Sequence, residues 1–131
     1  METLDQKITK LLTGYPYIQL VIMFGSLSRD SGRVDSDLDL AVAGTSVLTA
    51  QQKIDLVEDL ALVIGRPVDL IDLRSAEGLI LAQTLTTGRI IYCIDRSLYA
   101  ELIIKMLYNQ ADMMPYRKLI LEKRRKAWIN P

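Results

Sequence analysis

The segment from Val21 to Val42, VIMFGSLSRDSGRVDSDLDLAV, constrains the fold of this chain more than any other stretch. An apolar run ends at Gly25-Ser26, ten mostly polar residues follow, and Asp37-Leu38-Asp39 opens a second apolar run. Short apolar runs bounded by glycine, serine and aspartate are typical of β-strands joined by a polar loop. We therefore predict two strands that bring a glycine–serine turn and a pair of carboxylates to one place.

The two carboxylates are expected to share one face of the second strand. The buried face is predicted from alternate apolar residues, Leu38, Leu40 and Val42, and the two-residue period of a strand then places Asp37 and Asp39 together on the other face. Two like charges about 4 Å apart repel by roughly 4 kcal/mol at an effective dielectric of about 20. A bound cation removes this repulsion, and Mg²⁺ prefers oxygen ligands and combines one or two carboxylates with substrate phosphates. The pair therefore indicates a metal and nucleotide site.

The glycine–serine turn has the properties of a phosphate-binding loop. Gly25 allows unusual backbone dihedrals and lets a phosphate approach without meeting a β-carbon. Ser26 offers a hydroxyl and a backbone N–H, and the free N–H groups of a helix starting here would add to the attraction for anions. Arg29 and Arg33, in the loop that follows, are candidates for screening the remaining phosphate charge.

A third apolar run, from Arg66 to Leu73, carries two further acids, Asp69 and Asp72. Their odd spacing places them on opposite faces of a strand, so at most one of them joins the earlier pair. Asp69 lies within the apolar body of the run, whereas Asp72 lies near its end, where an acid often serves as a cap or turn former. The pattern alone leaves the choice between them open.

The remaining pattern predicts a single α+β domain over residues 1–131. Residues 2–13 have helical spacing, Thr49 with Gln52 three residues later fits a capping box for a second helix, and Arg89 to Ile94 is a fourth strand pattern. Residues 1–96 then form an α/β catalytic core, and residues 97–131 form a helical C-terminal region. A chain of this length buries roughly two thirds of the surface that its unfolded form exposes.

Composition excludes several classes of protein and site. Sixteen Lys and Arg balance sixteen Asp and Glu, so no overall charge favours direct nucleic-acid binding. The absence of histidine excludes histidine-based triads and metal sites, and the single cysteine, Cys93, forms no internal disulfide. The start, METLDQKITK, lacks the apolar core of a signal peptide, and no apolar run reaches membrane-spanning length. We expect a cytoplasmic protein with no membrane contact.

The C-terminal end has a charge of its own. From Arg117 to Lys126 there are six basic residues and one acid, a net charge of plus five that leaves minus five for the rest of the chain. A basic end on an acidic body, with Met, Tyr and Trp nearby, indicates a surface that docks a partner. Solvated charge and completion of the core are the alternative interpretations.

The motif as a whole resembles that of a known superfamily. Gly25-Ser26, ten residues, then Asp37-x-Asp39 is similar to the signature of the nucleotidyltransferases typified by DNA polymerase beta, and FGSLSRDSGRVDSDLDL resembles the minimal (MNT) branch. The resemblance covers essentially the whole chain and implies the polymerase beta-like fold, a small mixed β-sheet flanked by helices. The MNT branch pairs in two-gene toxin–antitoxin modules with HEPN-domain ribonuclease toxins.

The resemblance also implies an activity. ATP would bind with its phosphates on Gly25 and Ser26 and with Mg²⁺ held by Asp37 and Asp39. Asp69, at the position of the third carboxylate of the family, would hold a second Mg²⁺ and orient the attacking hydroxyl.

By the same resemblance, the chain is the antitoxin of a type VII-like module. It would form a hetero-oligomeric complex with its cognate HEPN toxin and neutralise it by transferring AMP to a toxin tyrosine, releasing pyrophosphate. The alternatives are a non-catalytic antitoxin that acts by occlusion and a small-molecule nucleotidyltransferase similar to aminoglycoside-modifying enzymes.

Overall fold

The computed structural model describes residues 1–25, 37–109 and Lys123. Helices and strands follow one another along the chain in this order: α1 (Leu4–Leu12), β1 (Ile18–Phe24), β2 (Leu38–Gly44), α2 (Ala50–Ile64), β3 (Val68–Asp72), α3 (Gly78–Thr87), β4 (Arg89–Cys93) and α4 (Arg96–Asn109). The part of the predicted helical C-terminal region after residue 109, which includes the basic segment, lies outside the described residues, apart from Lys123.

The strands form one mixed sheet in the order β3-β2-β1-β4. β1 runs antiparallel to both β2 and β4, whereas β2 and β3 run parallel. The parallel pair is joined by α2, the kind of crossover that a parallel connection requires. The predicted α+β class with a small mixed sheet flanked by helices is confirmed.

Helices cover both faces of the sheet. On one face, α1 and α2 bury the side of β2 that carries Leu38, Leu40 and Val42. On the other face, α3 and α4 pack over Ala41 and Ala43 of the same strand. The prediction that β2 has a single buried face is therefore wrong beyond Asp39, because a central strand between two helical layers is apolar on both sides. Only the start of β2 carries acids.

The boundaries of α2 follow from local chemistry. The predicted capping box is present, with the Thr49 hydroxyl accepting from the Gln52 N–H and the Gln52 side chain accepting from the Thr49 N–H. Gly65 ends the helix in the left-handed conformation at φ 77°, as glycine commonly does. These two caps fix where the crossover leaves β2 and where it enters β3.

Within residues 1–25 and 37–109, no helix combines the length and the apolar composition needed to cross a lipid bilayer.

Candidate active site

Strand pairing brings the predicted carboxylates together at one end of the strands. Asp39, the second residue of β2, pairs with Phe24 at the end of β1 and with Asp69 near the start of β3. Asp37 directly precedes β2, and Gly25 directly follows β1. Gly25, the Asp37–Asp39 segment and Asp69 therefore lie at the same end of the sheet, where β1 ends and β2 and β3 begin.

Asp39 and Asp69 face the same side of the sheet. Partners in a parallel ladder point in the same direction, and neighbouring strands lie about 4.8 Å apart. Asp39 is partly buried and Asp69 is exposed to solvent. The two carboxylates are thus neighbours on the face covered by α3 and α4, at its open end.

Asp72 belongs to the opposite face of β3. Its side chain is 4% exposed, and its carboxylate oxygens accept from the backbone N–H groups of Leu48 at 2.8 Å and Arg74 at 2.9 Å. Of the two acids that the sequence left open, Asp69 is the one beside Asp39. Asp72 is a buried residue that binds the ends of two loops.

The acids influence one another electrostatically. The pKa of the Asp39 carboxyl is raised above its ordinary value of 3.8, first because burial disfavours its charged form and then because the negative charges of Asp69 and Asp37 repel it. A nearby cation would stabilise the charged form of this carboxylate. The electrostatics therefore match the predicted metal site.

Gly25 is required by two separate constraints. Its φ of 79° lies in the left-handed region, which residues with a β-carbon rarely adopt. A β-carbon at this position would also overlap Oδ2 of Asp39 and lie 3.2 Å from its Cγ. The sequence suggested an approach by phosphate as the reason for this glycine, and the contact with Asp39 is an additional reason.

The donor set suits a hard ion that takes further ligands from elsewhere. Asp37, Asp39 and Asp69 supply oxygen atoms alone, which fits Mg²⁺. Among the residues that the structure describes, no three His, Cys, Asp or Glu side chains converge closely enough to hold a metal ion on their own. Mg²⁺ normally completes its shell with water and substrate phosphates, so this arrangement fits binding together with a nucleotide. Ser26, Arg29 and Arg33, the other predicted nucleotide-binding residues, lie outside the described residues.

Sequence reasoning gave no role to a set of contacts at the far end of the β2–β3 ladder. Nε of Arg74 donates to the Gly44 carbonyl at 2.6 Å, and Nζ of Lys105 donates to the Arg74 carbonyl at 2.9 Å. The partners are 30 and 31 residues apart in sequence. No local pattern signals such contacts.

Comparison with known families and proteins places this chain among nucleotidyltransferases. Residues 6–97 match the model of the family described as polymerase beta, nucleotidyltransferase. The chain is similar to the protein adenylyltransferase MntA of Shewanella oneidensis, with 37% identity over 86 residues, which are 65% of this chain and 62% of that protein. The match thus spans less than two thirds of that relative's length.

Two solved structures resemble the chain over most of its length. One is the crystal structure of a toxin–antitoxin with AMP-PNP, with a TM-score of 0.71 and 29% identity over 89% of this chain and 98% of the matched chain. The other is a re-refined structure of the tri-AMPylated HEPN toxin of Shewanella oneidensis in complex with MNT antitoxin, with a TM-score of 0.66 and 29% identity over 90% of this chain and 96% of the matched chain.

Proposed function

This chain belongs to the polymerase beta nucleotidyltransferase family, and from that premise we propose that it is an antitoxin that transfers AMP from ATP to a tyrosine hydroxyl of a cognate HEPN ribonuclease toxin. The observation that carries the proposal is the pairing of Asp39 with Asp69 beside the left-handed Gly25. Protein adenylyltransferase is the activity named for the similar MntA, and an AMPylated HEPN toxin is named in a similar complex.

The residues divide the chemistry between them. Gly25 and Ser26 hold the triphosphate, and Arg29 and Arg33 screen its charge. Asp37 and Asp39 would hold one Mg²⁺, and Asp69 would hold a second. When bound, these ions offset the negative charge of the phosphates and the carboxylates and so favour attack by an oxygen nucleophile.

Transfer is a single displacement at the α-phosphorus. The tyrosine oxygen forms a bond to this phosphorus while the bond to the bridging oxygen of pyrophosphate breaks, and the hydroxyl proton passes to Asp69 or to water. Asp69 is suited to this role because it is solvent-exposed at the open edge of the sheet. The protein contributes mainly position and charge.

The proposal includes a stable partner and a place. The toxin docks on the C-terminal region, residues 97–131, whose basic segment contrasts with the acidic remainder of the chain. ATP and the ribonuclease toxin that is modified occur together in the cytoplasm, which is the proposed location of this protein. The balanced total charge supports a protein partner over direct nucleic-acid binding.

A mass measurement tests the transfer directly. The purified protein is incubated with Mg²⁺, ATP and the HEPN protein encoded by the neighbouring gene, and intact masses of the toxin are recorded. We expect increments of one or more AMP units on the toxin and loss of its ribonuclease activity. An unchanged mass for a toxin that is folded and active as a ribonuclease would overturn the proposal.

Matched variants separate catalysis from occlusion. The double variant Asp37→Asn with Asp39→Asn removes two charges without changing side-chain size, and it should abolish the mass increment. The control is Glu58→Gln on the exposed surface of α2, which should leave the increment unchanged. Neutralisation of the toxin by the double variant would show that binding alone is sufficient.

A further inference from the structure

We infer that Asp72 is a positioning residue for the proposed reaction, because its buried carboxylate fixes the register of β3 on β2 and so keeps Asp69 beside Asp39. The inference rests on the proposed function and assigns it a residue that lies on the other face of the sheet. Asp72 pairs with Val42, three positions along the ladder from the Asp39–Asp69 pair.

The apolar pattern of β3 leaves its register weakly defined. β3 has five residues and is the outer strand of the sheet, paired with β2 alone among the strands that the structure describes. Val68 and Leu70 pack into the layer of α1 and α2, whereas Ile71 packs into the layer of α3 and α4. Both faces therefore accept apolar side chains. A slip of one residue would move each side chain of β3 to the opposite face. The hydrophobic pattern opposes such a slip least in a strand that has no distinct polar face.

Asp72 supplies the specificity that the apolar residues lack. Its two carboxylate oxygens accept from N–H groups on two different connections, Leu48 at the entry to α2 and Arg74 directly after β3. A one-residue slip of β3 would turn this carboxylate to the other face and remove the Leu48 donor. A buried carboxylate that loses one of its two donors is destabilised, so the present register is favoured.

Neighbouring contacts hold the same end of the ladder. The Leu73 N–H donates to the Val42 carbonyl at 2.8 Å. The Arg74 side chain reaches the Gly44 carbonyl at the end of β2, and Lys105 of α4 donates to the Arg74 carbonyl. The end of β3 opposite Asp69 is therefore fastened to β2, to the start of α2 and to α4. Fixing register is the best-attested use of a buried polar group.

The kinetic test is a double-mutant cycle with ATP and toxin. Asp72→Asn keeps the side-chain size but presents an amide N–H₂ to one backbone donor. We expect kcat to fall roughly 10- to 100-fold, the effect of a small misplacement of a catalytic group, while KM for ATP changes less than about twofold. If Asp72 acts through Asp69, the double variant with Asp69→Asn should be no slower than Asp69→Asn alone.

A second measurement is independent of activity. In the wild-type protein, NMR should show cross-strand contacts between Leu40 and Leu70, which pair in the present register. Asp72→Asn should weaken these contacts or replace them with those of a shifted register. The control is Thr86→Val, which removes a buried hydroxyl that donates to the Ala82 carbonyl within α3 and should change neither kcat nor these contacts.

The outcomes distinguish this inference from the function on which it rests. A wild-type protein that transfers no AMP would overturn the proposed function. A different result would overturn the positioning role alone. In that case the wild type transfers AMP, Asp69→Asn lowers kcat, and Asp72→Asn lowers kcat by the same factor whether or not Asp69→Asn is present. If Asp72→Asn fails to fold, Asp72→Glu takes its place, because it keeps the charge but moves the acceptor oxygens away from the Leu48 and Arg74 N–H groups by the length of one methylene. It should lower kcat with the same non-additivity, and an unchanged or additive kcat would count against the inference.

Discussion

The carboxylate of Asp39 occupies the space that a β-carbon at position 25 would fill. Pairing of Phe24 with Asp39 produces this contact, since it carries the next residue over the carboxylate. The φ of 79° at Gly25 is independently unfavourable for any residue with a β-carbon. Backbone conformation and the packing of a proposed metal ligand therefore demand the same glycine.

Gly25→Ala should remove AMP transfer while costing moderate stability. The added β-carbon must displace the Asp39 carboxylate, and a displacement of about 1 Å lowers the rate of a positioned reaction by roughly 100-fold. The left-handed backbone adds about 1–2 kcal/mol of strain. Initial rates of AMP transfer and urea unfolding measure the two effects.

Gly65 provides a control for the strain without the contact. It has a φ of 77°, and a β-carbon there would meet nothing within 4 Å. Gly65→Ala should therefore lose a similar free energy of unfolding and keep the wild-type rate. Equal losses of rate in the two variants would show that the contact with Asp39 is unimportant.

Asp39→Asn should raise thermal stability while removing nucleotide binding through magnesium. The substitution relieves the burial of a charge and, to a smaller extent, the repulsion by Asp69 and Asp37 that together raise the Asp39 pKa, so we expect Tm without ligands to rise by roughly 2 °C, a small shift for a domain of this size. Mg²⁺ with ATP should raise Tm of the wild type by preferential binding to the folded state and leave that of the variant unchanged. A thermal shift assay that gave the variant the same ligand-induced rise would contradict this assignment.

The strands were predictable because their signals are local. β1 ends at Phe24, as the apolar run and the glycine after it predicted. The burial of both faces of β2 was not predictable from its own residues. Ala41 and Ala43 are covered by helices that begin 37 or more residues later than Ala41 in the sequence, so their burial depends on tertiary packing.

The candidate site was predictable in its residue types and less so in its contacts. Odd spacing correctly predicted that Asp69 and Asp72 lie on opposite faces, but the choice between them depends on how β3 pairs with β2. The contact of Gly25 with Asp39 depends on a side-chain conformation, and one of the two donors to Asp72, the Leu48 N–H, lies on the connection before α2, 24 residues away in sequence. Spacing in sequence carries no information on such partners.

Tyr15→Phe should destabilise the fold without affecting the reaction. The Tyr15 hydroxyl donates to the carboxylate of Asp59 and ties the segment before β1 to α2. Loss of a partly buried bond to a charged acceptor costs about 1.5 kcal/mol, or roughly 5 °C in Tm. Calorimetry should show this decrease, and the transfer rate should stay unchanged because the site follows the other end of β1. The control is Tyr108→Phe, at a residue that is 78% exposed, and a similar loss there would refute the explanation.

Reversing charge in the basic segment should slow docking to the toxin and leave ATP binding intact. The triple variant Lys123→Glu, Arg124→Glu and Arg125→Glu changes the net charge of the segment from plus five to minus one. Electrostatic steering affects association rates most, so we expect the association rate constant at low salt to fall roughly tenfold in surface plasmon resonance. Reversal of Lys7, Lys10 and Lys53 on α1 and α2 is the matched control. Equal effects of both triples would indicate that total charge, and not this segment, governs association.

Acidification should release magnesium from the site earlier than an isolated aspartate would allow. The raised pKa means that folded Asp39 takes up a proton at a higher pH than its ordinary value of 3.8, and a protonated carboxyl is a poor ligand. The same pKa shift makes folding stability depend on pH. The folded state binds this proton more tightly than the unfolded state does, so the contribution of Asp39 to the free energy of unfolding increases as the pH falls through its raised pKa towards the unfolded value.

A variant of the neighbouring acid tests the cause of the pKa shift. Because Asp69 is one cause of the shift, Asp69→Asn should move the Asp39 titration midpoint to lower pH, whereas Glu58→Gln should not. Carbon NMR of the Asp39 carboxyl without metal measures the midpoint in each variant, and a midpoint unaffected by Asp69→Asn would mean that the two carboxylates do not interact.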